Sequence, residues 1–363
     1  NKSVFSVVLA DDSWLSYTIS GTIVTFKAKS KNTTGNIRTT IATITAGTGA
    51  AAKAVEVTVN QNVAAEGDAS LELSTNTVTI TPDAVAKSEV ITMISDETEF
   101  AINITDESWV KAYVDVTSKT LYFWTLSPNL NSSSRVTTAT VIAGNGANAP
   151  KQEVTITQRG LLSSEFAVGQ VIADNGSLKG GIVFWVDATN RGKAKIMSLD
   201  RENLAWSTAG SPASTGVTLS NDDGLANTTA LAALPNAAEM PALKYCMDKG
   251  SGWYWPTRSD LEQMFETYNG TKVADATEDN PNAITDFEKA NRAAWDLIVT
   301  NVGGTAMNTA AASSTGDSYW ASRETSSGTN AFYVRFGKPL AWDKANGKKS
   351  GARYIRAVRS ISK

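Results

Sequence analysis

Asp11-Asp-Ser-Trp14 returns later in the chain as Asp106-Glu-Ser-Trp109, and reading outward from this pair sets the organisation of the first half. Residues 5–61 align with residues 100–158. Arg38, in Ile37-Arg-Thr-Thr40, matches Arg135, in Ser134-Arg-Val-Thr137. Each arginine is followed at the same distance by Ala-Gly, at Ala46-Gly47 and Ala143-Gly144. A glutamine then closes a Val/Thr strand in each copy, Gln61 and Gln158. A two-residue insertion, expected in the turn around residues 129–132, holds every anchor in register.

Both copies read as strands. Val55, Val57 and Val59 alternate with polar neighbours, as do Val154 and Ile156, which suits a sheet with one face in a core. Turn clusters at residues 32–35 and 128–134 punctuate them. Short alternating strands without a helical period predict an antiparallel sandwich. Trp14 and Trp109 are expected as plugs between sheets, with sugar-stacking platforms as the other reading. The Trp, the Asn/Ser turn followed by Arg and the closing Val-Thr-Val-x-Gln strand together resemble the BACON family, found mostly in exported multidomain proteins of Bacteroidetes. That resemblance implies an immunoglobulin-like sandwich per copy, proposed in the family to bind carbohydrate or mucin but often a spacer. A spacer is the expectation here.

The copies differ at their start. Strand-like Leu71-Glu-Leu73, Thr77-Val-Thr-Ile80 and Val90-Ile-Thr-Met93, the last two separated by Pro82, precede the second copy, whereas almost nothing precedes Phe5. A sandwich without those strands exposes sheet edges and core. Two readings stand: the first domain is truncated, or a neighbouring molecule donates the strands.

Composition excludes much chemistry. The chain has 363 residues, a net charge of −3 and 42% hydrophobic residues, which predicts two or three domains and gives no electrostatic case for nucleic acid. No apolar run approaches the roughly 20 residues that span a bilayer. The chain starts at Asn1 without a Met, so any export signal or lipid anchor is expected to lie outside it. With no histidine, Ser-His-Asp and Cys-His triads and HExxH zinc sites cannot form within the chain. Cys246 is the only cysteine, so no internal disulfide or multi-thiolate site exists, and it reads as a small buried hydrophobe on a helix. Catalytic residues, cofactors and metals are all expected to be none.

After Gln158-Arg-Gly160 the texture changes: aromatics become denser and helical periods appear beside strands. Residues 236–249 carry Ala238, Leu243, Cys246 and Met247 as one helical stripe, stopped by Gly250 and Gly252. Thr257 and Ser259 each stand three places before an acidic residue, as an N-cap should. Residues 286–302 carry Phe287, Ala290, Ala294, Leu297 and Ile298 at helical spacing. Seven stretches carry a second resemblance. They are Gly180-Gly-Ile-Val-Phe-Trp-Val186, Ser198-Leu-Asp200 with Leu204-Ala-Trp206, Asp223-Gly-Leu-Ala-Asn227 and Gly252-Trp-Tyr-Trp-Pro-Thr-Arg-Ser-Asp-Leu261. Tyr319-Trp-Ala-Ser322, Ala331-Phe-Tyr-Val-Arg-Phe336 and Tyr354-Ile-Arg-Ala-Val-Arg359 complete the set. In that order they resemble the Lcl-type (DUF1566) branch of C-type-lectin-like folds. One departure is Trp255, where the family more often has Leu; the position is expected in the core either way.

The expected architecture is therefore multidomain. It has all-β immunoglobulin-like sandwiches at residues 1–62 and 63–160 and an α+β C-type-lectin-like domain at residues 161–363. The resemblance implies binding without catalysis. The calcium triplets of sugar lectins, Glu-Pro-Asn or Gln-Pro-Asp with Trp-Asn-Asp, are absent. Asn221-Asp-Asp-Gly224 lacks the alternating acids of a calcium loop and reads as a helix entry. The formylglycine-generating activity known on this broad fold needs paired cysteines, which one Cys cannot supply.

Lectin-like folds present their last strands and connecting loop as a ligand face, here residues 317–343. Period-two alternation assigns Phe332, Val334 and Phe336 to the core and leaves Tyr333 and Arg335 exposed. Trp320 is expected to be buried. Tyr319, Ser322, Arg323, Glu324 and Thr325 join them as candidate ligand-binding residues, with Lys338, Trp342 and Asp343 from the following loop. Some domains of this branch are rewritten at their C-terminal surface by diversity-generating retroelements, and the C-terminal placement of residues 319–359 is compatible with that. The expected function is a surface-displayed, calcium-independent adhesin or receptor-binding protein, outside a bacterium or on a phage tail. Its partner would be a protein or glycan on another cell or host surface. The alternatives are a structural pilus or tail assembly subunit and a two-carboxylate glycosidase.

Overall fold

A computed structural model of the chain describes residues 5–32, 34–63, 70–145, 149–173, 180–208, 214–271, 285–308, 317–336 and 346–363. The first repeat forms β1 (Phe5–Leu9), β2 (Leu15–Ser20), β3 (Ile23–Ala28), β4 (Arg38–Ala46) and β5 (Lys53–Gln61). These make a three-stranded sheet, β1-β4-β5, and a separate hairpin, β2-β3. Before the second repeat come β6 (Glu72–Leu73), β7 (Thr77–Ile80) and β8 (Ile91–Ile94). Its own strands are β9 (Phe100–Ile104), β10 (Val110–Asp115), β11 (Thr120–Thr125), β12 (Arg135–Ala143) and β13 (Lys151–Gln158). Two four-stranded sheets result, β10-β11-β8-β6 and β7-β13-β12-β9. Leu121, Phe123, Ile91, Val141, Val154 and Ile156, all at 0% exposure, fill the space between them. The chain therefore contains β-sandwich architecture built on an internal repeat.

The recurring anchors make one hydrogen-bonded cluster per copy, which is why those residue types recur. Arg135 Nε donates to Gln158 Oε1 at 2.7 Å, and its Nη2 donates to the Ser127 carbonyl at 2.8 Å. Arg38 repeats this with Gln61 at 2.8 Å and the Ser30 carbonyl at 2.6 Å. The guanidinium lies 4.7 Å from the Trp109 ring in one copy and 4.8 Å from Trp14 in the other, near enough for cation–π attraction. Buried Asn129 and Asn32 each donate through Nδ2 to the carbonyl of that glutamine. Both tryptophans are buried, as expected of plugs, and each also serves as the floor under an arginine. The two-residue insertion lies elsewhere than the sequence suggested. Gly21 and Thr22 link β2 to β3, while residues 116–119 link β10 to β11, so the extra length sits in that hairpin and not near residue 129.

The C-terminal unit is α+β. Its strands are β14 (Val171–Ile172), β15 (Gly181–Val186), β16 (Lys193–Ser198) and β17 (Glu202–Ala205), followed by α1 (Gly224–Ala232) and α2 (Pro241–Met247). Then come β18 (Trp253–Tyr254), α3 (Arg258–Asn269), α4 (Asp286–Asn301), β19 (Ser318–Glu324) and β20 (Asn330–Arg335). β21 (Asn346–Lys348), β22 (Ala352–Ile355) and β23 (Val358–Ser362) finish it. They form two five-stranded sheets, β14-β15-β16-β23-β18 and β17-β22-β19-β20-β21. Thr257 and Thr285 cap α3 and α4 with full capping boxes, closed by Asp260 and Glu288. Ser259 lies inside α3, so only one of the two suggested caps forms. The stripe over residues 236–249 is shorter than expected, because Pro241 can only begin an α-helix there. Asp223 caps α1 by accepting from the Ala226 amide, so the Asn221-Asp-Asp-Gly224 turn is a helix entry. Cys246 is fully buried on α2, and burial pushes its thiol well above the usual value. Trp255 is likewise fully buried.

The second sandwich and the C-terminal unit share an interface. Val85, from the β7–β8 connection, packs into the C-terminal core with Phe184, Met264 and Trp295. It holds φ at 51°, a strained value for a β-branched residue, and its amide donates to the Thr125 carbonyl at 2.8 Å. Phe287 on α4 meets Tyr113, Tyr122 and Trp124 edge-on at 6.1, 5.4 and 5.2 Å, with Lys87 Nζ 4.1 Å from its ring. Gly169, at φ 85°, lies so close that a Cβ there would meet Ala84 at 2.9 Å.

Candidate functional site

β19 and β20 form an antiparallel hairpin whose register shifts between Trp320 and Glu324, so Ala321, Ser322 and Arg323 lie in a bulge before Glu324 pairs again with Ala331. The turn that follows is closed by the Thr325 amide donating to Asn330 O at 2.9 Å. Gly328, at φ 70°, presses this turn onto the segment at residue 214, where an added Cβ would lie 2.6 Å from Ser214. Between hairpin and segment lies a cavity of about 260 Å³, walled by Ser214, Val217, Thr218 and Leu219 on one side and by Arg323, Glu324, Thr325 and Ser326 on the other.

Charge in this wall is held in place. Glu324 accepts from Ser214 Oγ at 2.9 Å, from the Thr215 amide at 3.0 Å and from Thr215 Oγ1 at 2.8 Å, and it pairs with the buried ammonium of Lys349. Burial alone would raise the Glu324 carboxyl, but the bonds from Lys349, Thr215 and Ser214 together bring it below the usual carboxylate value. Lys349 Nζ also lies 4.5 Å from the Trp206 ring. Arg323 donates through Nη1 to Asn221 Oδ1 at 2.7 Å and lies 5.7 Å from the Phe332 ring. Half-buried Arg323 and Thr325 thus border the cavity beside exposed Ser326. The lining offers hydroxyls, one guanidinium and a short apolar strip.

Three residues expected at the surface are buried. Tyr319 is at 0% exposure: its hydroxyl donates to the Met307 carbonyl at 2.6 Å and accepts from Arg201 Nη1 at 2.8 Å, and its ring packs 4.8 Å from Phe336. Ser322 is also at 0%, with Oγ accepting from Asn227 Nδ2 at 2.9 Å. Tyr333 is buried at 9%, edge-on to Trp320 at 5.9 Å and 4.1 Å from the Arg353 guanidinium. The cause is shared. This sheet is covered on both faces, Tyr333 packing into one core cluster while Val334 and Phe336 pack into the other. Alternation therefore marks no wet side. Phe332, expected in the core, is only half-buried, as is Arg335. Trp320 is fully buried, as expected. Lys338, Trp342 and Asp343 lie outside the described residues.

The structure thus brings Arg323, Glu324 and Thr325 together at one cavity and turns Tyr319, Ser322 and Tyr333 inward. Sequence reasoning missed the opposite wall, residues 214–219. A Ser/Thr/Gly-rich loop carries no periodic signal, and nothing local announces that Gly328 docks upon it. Among the described residues, no group of three His, Cys, Asp or Glu side chains converges as metal ligands, and no helix is long and apolar enough to cross a membrane.

No family model matches the chain, and no curated protein matches it. The two family resemblances therefore rest on the quoted motifs. Solved structures similar to it include the human desmocollin-1 ectodomain, at 9% identity over 49% of this chain and 37% of that one, with a TM-score of 0.27. The zebrafish RET cadherin-like domains 1 to 4 match at 8% identity over 57% and 52%, with a TM-score of 0.22. Mouse cadherin-23 EC22-24 matches at 13% identity over 55% and 70%, with a TM-score of 0.24. The chain spans less than two thirds of the first two, and likeness at these scores carries no argument about fold or function.

Proposed function

We propose that the chain is a non-catalytic, calcium-independent binding protein displayed outside a bacterial cell. Its C-terminal unit is read as an Lcl-type, C-type-lectin-like domain that recognises a protein or glycan. The observation that carries this reading is the cavity between residues 214–219 and the Arg323-Glu-Thr-Ser326 strand end. Its rim combines a guanidinium and hydroxyl groups on a rigid hairpin, the kind of mixed polar and planar surface that binding sites favour. The buried Glu324–Lys349 pair supports the rim without being spent on the ligand.

Glycan- and protein-array binding by the wild type beside an Arg323→Ala/Thr325→Ala variant tests the reading. Loss of a wild-type signal in the variant is the expected result, and equal binding by the two removes the site. Diversification by a retroelement belongs to the same reading and is tested in the genome. A template near-copy of the DNA encoding residues 319–359, differing from it at surface positions, supports it.

A further inference from the structure

Trp185 stands on the wrong side of β15 for strict alternation. Ile182 and Phe184 belong to the core cluster that takes in Val85, while Val183 and Val186 pack into the other. Trp185 should follow Val183, yet it packs partly against the cluster of Phe184. The cause is a bulge. β15 and β16 lose register between Val183 and Trp185, which turns Phe184 and Trp185 the same way. The half-buried indole thereby reaches a cleft of about 280 Å³ between the C-terminal unit and the second sandwich.

The other walls carry polar groups of fixed direction. Gln263, Glu266 and Thr267 line the cleft from one face of α3, spaced i, i+3 and i+4. Gln263 Oε1 accepts from Lys195 Nζ at 3.0 Å, which leaves its amide Nε2 to donate, without a partner among the described residues. Thr267 Oγ1 donates to the Phe184 carbonyl at 2.7 Å, so its oxygen is left to accept. Lys195 Nζ also lies 5.3 Å from the Trp185 ring, which ties indole and amide to one ammonium. The β7–β8 connection closes the cleft with residues 83–87, where Val85 holds its strained φ.

The charges around it are engaged. Asp83 pairs with Arg191 at 2.7 Å and Lys195 with Asp260 at 2.6 Å. Lys87 Nζ lies 4.1 Å from the Phe287 ring, and Glu266 has a partner of its own. An ionic ligand therefore finds no waiting counter-charge.

We propose that this cleft binds a single neutral pyranose ring, with its C–H face on the Trp185 indole and its hydroxyls on Gln263 Nε2 and Thr267 Oγ1. A volume just under the roughly 300–1,000 Å³ of small-molecule sites admits one ring and not a chain of them. The site shares no residue with the cavity at residues 214–219 and 323–326.

The probes are the methyl β-pyranosides of glucose, galactose, mannose and N-acetylglucosamine, titrated into the full chain. Nitrogen-edited NMR follows the Trp185 indole and the Gln263 side-chain amide, each assigned by its own substitution. At least one glycoside shifts both signals and saturates. Trp185→Leu, which keeps an apolar side chain at the bulge, and Gln263→Leu, at a half-exposed helix position, each weaken that binding by about tenfold or more. The Arg323→Ala/Thr325→Ala variant binds as the wild type does, whatever it does to binding at its own cavity. The proposal is overturned if none of the glycosides shifts the two signals, if both leucine variants bind like the wild type, or if binding is lost in the Arg323→Ala/Thr325→Ala variant instead.

Discussion

Arg191 Nη2 and Asp83 Oδ1 form an ion pair of 2.7 Å that joins the C-terminal unit to the second sandwich. Asp83 Oδ1 also accepts from the Val168 amide at 2.8 Å, and Arg191 Nη2 donates to the Phe166 carbonyl at 3.0 Å. Glu165 extends the network to Arg159 at 2.7 Å. Both partners are mostly buried, so removing one leaves the other short of hydrogen bonds. Arg191→Ala is expected to cost about 1–3 kcal/mol. With Phe287→Ala added, the two units separate their melting transitions in calorimetry, whereas the wild type melts them together.

The repeated cluster predicts unequal costs for equal substitutions. Gln158 is fully buried, accepts from Arg135 and donates to the Asp83 and Ser127 carbonyls. Gln61 is half-exposed and makes the corresponding bond to Arg38 from a partly open position. Gln158→Ala should cost about 2–3 kcal/mol and Gln61→Ala about 1 kcal/mol or less. Urea unfolding of each single variant measures the difference.

Asp296 gives a pH dependence of definite sign. Burial pushes its carboxyl from 3.8 up to about 6, against the pull of bonds from the Met307 amide at 2.7 Å and the Tyr268 hydroxyl at 3.3 Å. A carboxyl raised in the folded state holds its proton more tightly there than in the unfolded chain. Its stabilising contribution is complete below about pH 4 and is lost as pH rises through about 6. Asp296→Asn keeps an acceptor for the amide and never ionises. It should match the wild type near pH 3.5 and exceed it by about 2–3 kcal/mol at pH 7.5, read from denaturant midpoints.

Gly328 holds the two walls of the cavity at residues 214–219 and 323–326 together. A side chain there meets Ser214 and must also adopt a positive φ. Gly328→Ala should destabilise by about 1–3 kcal/mol and push residues 214–219 off the hairpin. Faster exchange of the Thr215 amide, which Glu324 now holds, reports the opening.

The sequence made the repeat legible because its anchors meet. Trp, Asn, Arg and Gln meet in one cluster in each copy, so the same types recur at the same spacing while the strands between them differ. The capping box at Thr257 was readable for the same reason, its partner Asp260 standing three residues on, whereas the one at Thr285 was passed over. The site was readable only in part. Arg323, Glu324 and Thr325 do border one cavity, because the hairpin end is local. Tyr333 is buried against expectation because period-two alternation presumes one wet face, and Tyr319 because its place beside Trp320 said nothing of its own contacts. That a second layer covers this sheet is a property of contacts between residues such as Tyr319 and Met307, or Tyr333 and Arg353, which no local pattern encodes.

The interface around Val85 and Phe287 has a mechanical meaning. Among the described residues, the ion pairs between the first sandwich and the second come from Lys31, which reaches Asp96 and Glu97 at 4.0 and 3.6 Å with partly solvated side chains, a weak kind of ion pair. Bending is therefore cheapest at that upstream joint and costly beside the cavity. The second sandwich and the C-terminal unit thus act as one stiff lever, with the compliance one whole sandwich upstream of the cavity at residues 214–219 and 323–326.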